Sequence, residues 1–495
     1  MNDVVAFLEA GGSGEPVERV DTHGAHVFLG RRRAWKMKRP VKFRFLDFSS
    51  LKQREQIIRT ELDLNRRTAP AIYRAVMPVV RRADGRLEVD GEGEPVEWLL
   101  EMERFDRDDQ LDRMADRGLL PVEVIEKLAR NVARFHREAA VVADGGGFQG
   151  LAEVVEGNSA DLMDLCPHIL ERTSVEKLDR FSQEHLRRHC DLLERRRAEG
   201  KVRHCHGDLH LGNVVLLQGE PTPFDCLEFD AGLASVDVIY DLAFLIMDLL
   251  HRGLPGHAHR ALQGWLEVSE DDEAVALLPL CLATRAAVRA KIEGLQGHGE
   301  AARAYLALAL RSFEERPAVL VALGGVSGTG KTSLARGLAP DLGPLPGAVI
   351  LRSDVIRKRM HGIEPEQKLA QSAYSPEVSE QVFRRISERA TGLLASGHAA
   401  IADAVYGEPD QRQAIETAAA QAGKRFLGLW LTAPREVLAG RIGRRRNDAS
   451  DATTDVLDRQ LAAINRDQIT WKEIDASGDQ EATLANAREA LRSGG

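Results

Sequence analysis

Residues 325–332 read Gly-Val-Ser-Gly-Thr-Gly-Lys-Thr, a G-x-x-x-x-G-K-[ST] pattern. Glycines so spaced let backbone N–H groups turn toward phosphate oxygens, and a helix starting there adds its positive dipole. Gly325, Gly328, Thr329, Gly330 and Ser333 form that cradle, Lys331 would reach the β- and γ-phosphates, and Thr332 would hold Mg²⁺. The context fits, since an apolar run (318–323) precedes the loop and a helix-compatible run (333–338) follows. The implied ligand is a nucleoside triphosphate, ATP with Mg²⁺.

Carboxylates and arginines with suitable spacing follow. Asp354 comes just after a second apolar run (347–351), so it would face the crevice at a strand's carboxyl end and orient or deprotonate an acceptor hydroxyl. Arg357, one turn later, would anchor the acceptor. The plainer alternative is that Ser353 or Asp354 caps a helix. Asp403 ends the run 398–403 and would assist Mg²⁺ or the acceptor, or is simply a strand-end carboxylate. Arg441 and Arg445 are four apart, so one helix face carries both, and they could close over the transferring phosphoryl group beside Arg444 and Arg446. A solvated basic face is the alternative.

A second constellation lies upstream. Residues 204–213 read His-Cys-His-Gly-Asp-Leu-His-Leu-Gly-Asn, and a hairpin-like stretch (214–224) leads on to Asp225. The order is H-x-D-x-x-x-x-N followed by an acid. Asp208 would accept a hydroxyl proton while Asn213 and Asp225 hold Mg²⁺, a hard cation that wants oxygen. His185, His189 and Cys190, with His204, Cys205 and His206, raise a zinc reading. The Cys-x-x-Cys pairing of a structural zinc site is absent, which favours a basic exposed helix followed by a strand.

These residues need elements to hold them. Residues 18–103 read as short strands with one helix: neighbouring strands at 27–29 and 34–37 joined through Gly30 and three arginines, a helix at 51–67, and strands at 76–80, 87–89 and 96–102. Pro78 makes the 76–80 segment an edge strand. From Pro121 helices dominate, at 122–140, 175–197, 237–252 and 273–295. Glu314-Glu315-Arg316-Pro317 marks a boundary. Beyond it, strands at 318–323, 347–351, 398–403, 426–431 and 472–475 alternate with helices, which implies a parallel sheet covered on both faces. The expected organisation is an α+β first domain (1–313, small lobe about 1–103, large lobe about 104–313) and an α/β second domain (317–495).

The bulk numbers agree with two domains. A chain of 495 residues exceeds one ordinary core, and 43% apolar with 29% charged residues is a globular profile. A net charge of −9 argues against general binding to nucleic acid or anionic membrane. Residues 1–20 lack a signal-peptide layout, and the most apolar run (242–250) is short and contains Asp248, so no membrane association and a cytoplasmic location are expected. Five scattered cysteines form no disulfide framework.

On the P-loop, the Asp354-x-x-Arg357 element and the arginine-rich lid, residues 318–495 resemble small P-loop kinases of the gluconate kinase, polynucleotide kinase and zeta-toxin type. The resemblance implies ATP-dependent phosphorylation of a hydroxyl. Residues 200–245, including Asp241-Leu242-Ala243, resemble aminoglycoside phosphotransferases and the wider protein-kinase-like superfamily. That resemblance implies a bilobal fold, a small-lobe lysine and a helix glutamate. Lys36 fits the first because Ala34 sits two before it, with Lys38 as the alternative. Glu61 fits the second, with Glu55 as the alternative, because Glu61 lies on the apolar side of its helix, where a carboxylate wants a cation.

The departures are informative. The glycine-rich loop is reduced to Thr22-His23-Gly24-Ala25, Gly207 replaces the arginine of regulated protein kinases, and Asp225-Cys226-Leu227 replaces D-F-G. They favour the small-molecule branch and leave room for an inactive ATP-binding relic. The whole chain resembles bacterial fusions of these two domains, described as bifunctional or as AAA-family ATPases. The expected function is a bifunctional ATP-dependent phosphotransferase acting on small hydroxylated molecules. One alternative is a nucleic-acid 5′-hydroxyl kinase in the second domain, kept open by the arginines of 352–359 and 441–446. Another is one active kinase regulated by an ATP-sensing partner domain.

Overall fold

The structure is a computed structural model that describes every residue except His23, Arg44, Phe45, 364–366, 445–449 and 494–495. Contacts divide the chain into two units, Met1–Cys166 with Asp179–Arg252, and Pro167–Leu178 with Gly253–Gly495.

In the first unit, alternating side chains build a six-stranded antiparallel sheet from β1 (Glu18–Asp21), β2 (Ala25–Leu29), β3 (Arg33–Lys38), β4 (Tyr73–Arg81), β5 (Leu87–Val89) and β6 (Glu94–Glu103). The strand order is β1-β2-β3-β6-β4-β5. Successive residues of a strand face opposite ways. Phe28, Trp35, Met37, Val79 and Leu99 therefore bury one face against Val4 and Val5 of the N-terminal helix (Asn2–Phe7) and Leu8 just after it. Lys36 and Lys38 share the other face, where α1 (Leu51–Arg66) packs through Ile58. A capping box between Ser50 and Gln53 starts α1.

Pro78 does not mark an edge. Strand β4 is paired on both sides, by β6 and β5. The β5 ladder covers only Val79, Val80 and Arg81, so Pro78 lies one residue outside it. Its carbonyl accepts from Asp90 N at 2.8 Å on that side, and its missing N–H breaks no ladder bond.

The helical part of this unit contains α2 (Val122–Glu138), β7 (Val202–His204), the hairpin β8–β9 (Val214–Leu217, Glu220–Pro223), β10 (Ser235–Asp237) paired with β7, and α3 (Val238–His251). The helix expected over 175–197 is two helices, Arg172–Arg188 and Cys190–Ala198. They break at His189, whose φ of −108° and ψ of 15° leave the helical range.

The long segment of the second unit, from Gly253, starts with α4 (Pro255–Ser269), α5 (Leu278–Leu295) and α6 (Gly299–Arg311). Five parallel strands follow: β11 (Val319–Gly324), β12 (Val349–Arg352), β13 (Ala400–Asp403), β14 (Arg425–Thr432) and β15 (Lys472–Asp475), in the order β12-β13-β11-β14-β15. Between them run α7 (Lys331–Leu338), α8 (Ser353–Met360), α9 (Pro376–Ala395), α10 (Pro409–Gln421), α11 (Arg435–Arg444) and α12 (Thr454–Ala463). Val321, Leu323, Ile350, Ile401, Leu429 and Ile474 form the sheet's core.

The boundary expected at 314–317 lies inside this unit, because α4 is bonded to the sheet's edge. Gln263 donates from Nε2 to Ile350 O and accepts Ile350 N on Oε1, both at 3.0 Å, and His259 Nε2 meets Ala348 O at 2.8 Å. The Gln263 amide thus stands in for a neighbouring strand along β12.

Candidate active sites

In the first unit, β3 and α1 bring a charged cluster together. Lys36 Nζ reaches Glu61 Oε1 at 2.6 Å and Asp225 Oδ1 at 2.8 Å. Lys38 Nζ reaches Glu61 Oε2 at 2.7 Å and also pairs with Glu228. Both lysines that the sequence left as alternatives therefore sit on the same glutamate. Glu55, the alternative to Glu61, pairs instead with Arg59 on the exposed side of α1. Glu61 is fully buried, a position that burial alone would penalise, and the two ammonium groups hold its carboxyl below the usual range. Burial works against Lys36 as well, but Asp225, Glu61 and Glu228 hold its ammonium well above the ordinary value.

Asp208 and Asn213 meet on the loop that follows β7. Asn213 Nδ2 donates to Asp208 Oδ2 at 2.8 Å and to Asp208 O at 3.0 Å. Asp208 and Asp225 keep 38% and 41% of their side-chain surface, so both are open to a ligand. Asp225 adopts φ +60°, fixed where its N–H meets Tyr73 Oη at 3.0 Å and the next N–H meets Asn65 Oδ1 at 2.8 Å. Asp241 supports the loop from below, accepting Gly207 N at 2.8 Å and His206 N at 3.2 Å. His206 Nε2 bonds Phe224 O at 3.1 Å, so this histidine ties the loop to the strand before Asp225. Gly207 has φ +84°, and a Cβ there would stand 2.8 Å from that of Leu227, so no larger residue replaces it without a shift.

The zinc reading fails on geometry. His189 Nδ1 bonds His185 O, and the two rings lie tilted against each other with centroids 5.8 Å apart. Among the described residues the convergent group is His136, Cys205 and Asp241, which includes only Cys205 of the six residues considered. Its atoms are engaged already, His136 with Asp241 at 3.0 Å and Cys205 with Val236 O at 3.6 Å.

In the second unit, β11 ends in the phosphate loop and α7 begins at Lys331. Gly325 needs its glycine, because a Cβ would meet Leu431 O at 2.6 Å and φ is +133°. Thr329 is buried, with Oγ1 on Val326 O at 2.8 Å, so its side chain braces the loop. Lys331 Nζ donates to the carbonyls of Gly325 (2.7 Å) and Val326 (3.1 Å). Thr332 Oγ1 donates to Asp403 Oδ2 at 2.6 Å. A cavity of about 1580 Å³ opens over Gly328, Gly330, Thr332 and Ser333 and extends past Asp354, Arg357 and Asp403.

Asp354 does not cap its helix, since Arg352 is the N-cap and no side chain caps α8. Burial, with help from Asp403, raises the Asp354 carboxyl above its ordinary value against the pull of Arg352 and Lys331. Arg441 lines the cavity, but its guanidinium holds the carbonyls of Ala476 (2.8 Å) and Gly478 (2.7 Å). Arg445 lies outside the described residues.

The sequence reading missed several partners. Glu228 stands three residues after Asp225, and that spacing was the one available hint. Gln460 of α12 accepts Ser327 N at 2.8 Å. Asp451 gathers Lys358, Leu369 N and Tyr374, and Ser450 bonds Asp354. Glu228, Ser450 and Asp451 come from loops whose sequence carries no period, and nothing in the sequence of α12 points Gln460 at the P-loop.

Two family models match the chain, one described as an AAA domain over residues 320–466 and one as a phosphotransferase enzyme family over 45–278. An uncharacterized protein of Mycobacterium tuberculosis is 31% identical over 487 residues, covering 96% of this chain and 95% of its own, and one of Mycobacterium bovis matches equally. Among solved structures, a gluconokinase from Sinorhizobium meliloti is 22% identical, covers 36% of this chain and 94% of its own, and has a TM-score of 0.27. A choline/ethanolamine kinase family protein from Mesorhizobium loti is 13% identical, covers 62% and 92%, and has a TM-score of 0.40. No helix among the described residues is long and apolar enough to cross a membrane.

Proposed function

We propose a function from the premise that the chain belongs to the family of its mycobacterial relatives, a phosphotransferase-family domain fused to a P-loop kinase domain. It is an ATP-dependent kinase. In our reading each domain, 1–313 and 317–495, transfers the γ-phosphate of ATP to a hydroxyl of a small molecule. One observation supports this: Asp208 and Asp354 lie in separate units, Asp208 bonded to Asn213 in the first and Asp354 lining one cavity with Lys331, Thr332 and Asp403 in the second.

Kinases of these families use ATP, typically with Mg²⁺. The donor sets fit that ion, since Asn213 and Asp225 in the first domain and Thr332 and Asp403 in the second all offer hard oxygen. When bound, the ion neutralises charge on the β- and γ-phosphates. Lys36, braced by Glu61, would hold the phosphates in the first domain, and the 325–333 loop with Lys331 would do so in the second.

Asp208, steadied by Asn213, would take the proton of one acceptor hydroxyl, and Asp354 the proton of the other. The acceptor oxygen then bonds to the γ-phosphorus. The bond from that phosphorus to the β–γ bridging oxygen breaks, and ADP leaves with the electron pair. A metabolite panel read by ATP consumption tests this with wild type, Asp208→Ala and Lys331→Ala. Each variant should lose one set of acceptors and keep the other. Transfer that survives intact in Asp208→Ala would make the first domain a sensor instead.

A further inference from the structure

Asp354 stands on a short element. Helix α8 has eight residues and no side-chain cap, so its own hydrogen bonds hardly sustain it. The strand before it, β12, lies at the sheet's edge and pairs with β13. The placement of Asp354 therefore depends on what stands behind α8.

Behind it stand α4 and the turn that follows. Val355 and Ile356 are 7% and 3% exposed and line a cavity of about 20 Å³ together with Leu266 and Glu267 of α4. Such a volume holds about one water. Arg359 Nη1 donates to Val268 O, in the last turn of α4, at 3.4 Å. Carbonyls at that end lack partners within their own helix and carry its negative dipole, so a guanidinium suits them. Arg389 of α9 grips Asp272 with two bonds, Nε to Oδ2 at 2.6 Å and Nη2 to Oδ1 at 2.7 Å. Against burial, Asp272 and then Glu270 and Glu267 hold the Arg389 charge. A fork-to-fork pair of this kind fixes geometry as well as energy. One arginine from α8 and one from α9 thus clasp the end of α4.

Arg352 connects this joint to the phosphate site. It is 9% exposed and lines both the small cavity and the large one. Its Nε stands 3.9 Å from Asp403 Oδ2, the oxygen that accepts from Thr332. Its charge opposes the rise that burial gives the Asp354 carboxyl. The AAA-domain model starts at residue 320, whereas α4 and Asp272 fall within the phosphotransferase model.

We propose that α4 and the turn after it are a positioning element of the P-loop kinase: they hold β12 and α8 from behind, and so fix Arg352 and Asp354 where phosphoryl transfer needs them. The inference rests on reading this half as a kinase. It makes the rate of the second half depend on a segment outside that half's own family signature. Misplacing a reacting group by about 1 Å costs roughly 10²-fold in rate, so a loosened joint reads out in turnover.

The test uses the full chain with Asp272→Ala, Arg389→Ala, the double variant, Asp272→Glu and Arg359→Met. Hydrogen exchange is followed at the amides of α8 (355–360), with those of α7 (334–338) as the internal reference. Asp272→Ala should speed exchange in α8 about tenfold, the scale of one charge-assisted hydrogen bond. Exchange in α7 should not change, nor should the affinity of the Lys331-dependent site for a Mg²⁺-bound, non-hydrolysable ATP analogue. With any acceptor whose phosphorylation is lost in Lys331→Ala, kcat should fall about tenfold or more at unchanged KM for ATP. Asp272→Glu keeps the charge and should stay near wild type. The double variant should fall no further than Arg389→Ala, because both changes break one contact. Arg359→Met removes only the contact to Val268 and should loosen α8 in the same selective way.

The inference is overturned if, in both Asp272→Ala and Arg359→Met, α8 exchanges as in wild type or α7 loosens as much as α8. It is also overturned if the losses of the two single variants multiply in the double. Lys331-dependent transfer that keeps its kcat in Asp272→Ala overturns the positioning inference alone. Absence of any Lys331-dependent transfer overturns the kinase reading, and this inference with it.

Discussion

Lys36 and Lys38 are two apart on β3, so both point to the same face and one glutamate receives both. Glu61 was legible over Glu55, because its place on the apolar side of α1 requires a cation. The choice between the lysines was not legible, since strand periodicity cannot separate residues of one face. Their shared partner predicts unequal costs. Lys36→Met should weaken ATP binding in the first domain while Lys38 keeps Glu61 paired. The double variant Lys36→Met/Lys38→Met leaves a buried carboxylate alone and should cost about 3–5 kcal/mol in a urea titration. The Glu61 carboxyl is held below its unfolded value, so its contribution is present above that value and fades as pH falls. Asp208→Asn should lower kcat of the first domain by roughly 10²–10⁴-fold with little change in its melting temperature, measured with any acceptor the panel yields.

At the scale of elements, the second half was the more legible. Parallel strands buried on both faces read as apolar runs, and all five expected strands are found within two residues. The antiparallel sheet misled at Pro78, because sequence gives the short strand at 87–89 but not the register in which it pairs, which leaves Pro78 just outside its ladder. Nothing in the spacing of α4 announced that Gln263 and His259 would grip β12. Gln263→Leu leaves Ile350 N–H and C=O unpaired and should cost about 1–3 kcal/mol for each group, read as an earlier thermal transition. Burial lowers His259 and His398 to about 4. Their folded pKa lies below the unfolded 6.5, so the neutral rings support the fold above pH 6.5 and that support is lost between pH 6.5 and 4. The loss should reach about 3 kcal/mol for each ring, seen as a falling urea midpoint across that window and reduced in His259→Gln.

At the scale of the molecule, family boundaries and packing boundaries part company. The phosphotransferase model reaches residue 278, whereas the packed unit that contains the P-loop takes in Gly253–Gly495 together with Pro167–Leu178. Charge and proline at 314–317 mark a turn in the chain, and a turn is visible in sequence where a docking helix is not. A fragment of residues 253–495 should therefore unfold in one sharp transition and stay in solution. A fragment of 317–495 keeps the P-loop, Asp354 and Asp403 and should melt lower and aggregate, because the edge of β12 is stripped of Gln263. Light scattering and circular dichroism on the two fragments decide it.

Gene fusions are usually pictured as beads that recombination can restring. A side-chain amide that seals the sheet edge of one domain from a helix claimed by the sequence signature of the other makes these two beads inseparable. A crossover at the motif boundary would yield a second half with an open edge, which quality control would remove. Gln263 thereby ties the inheritance of one domain to that of the other.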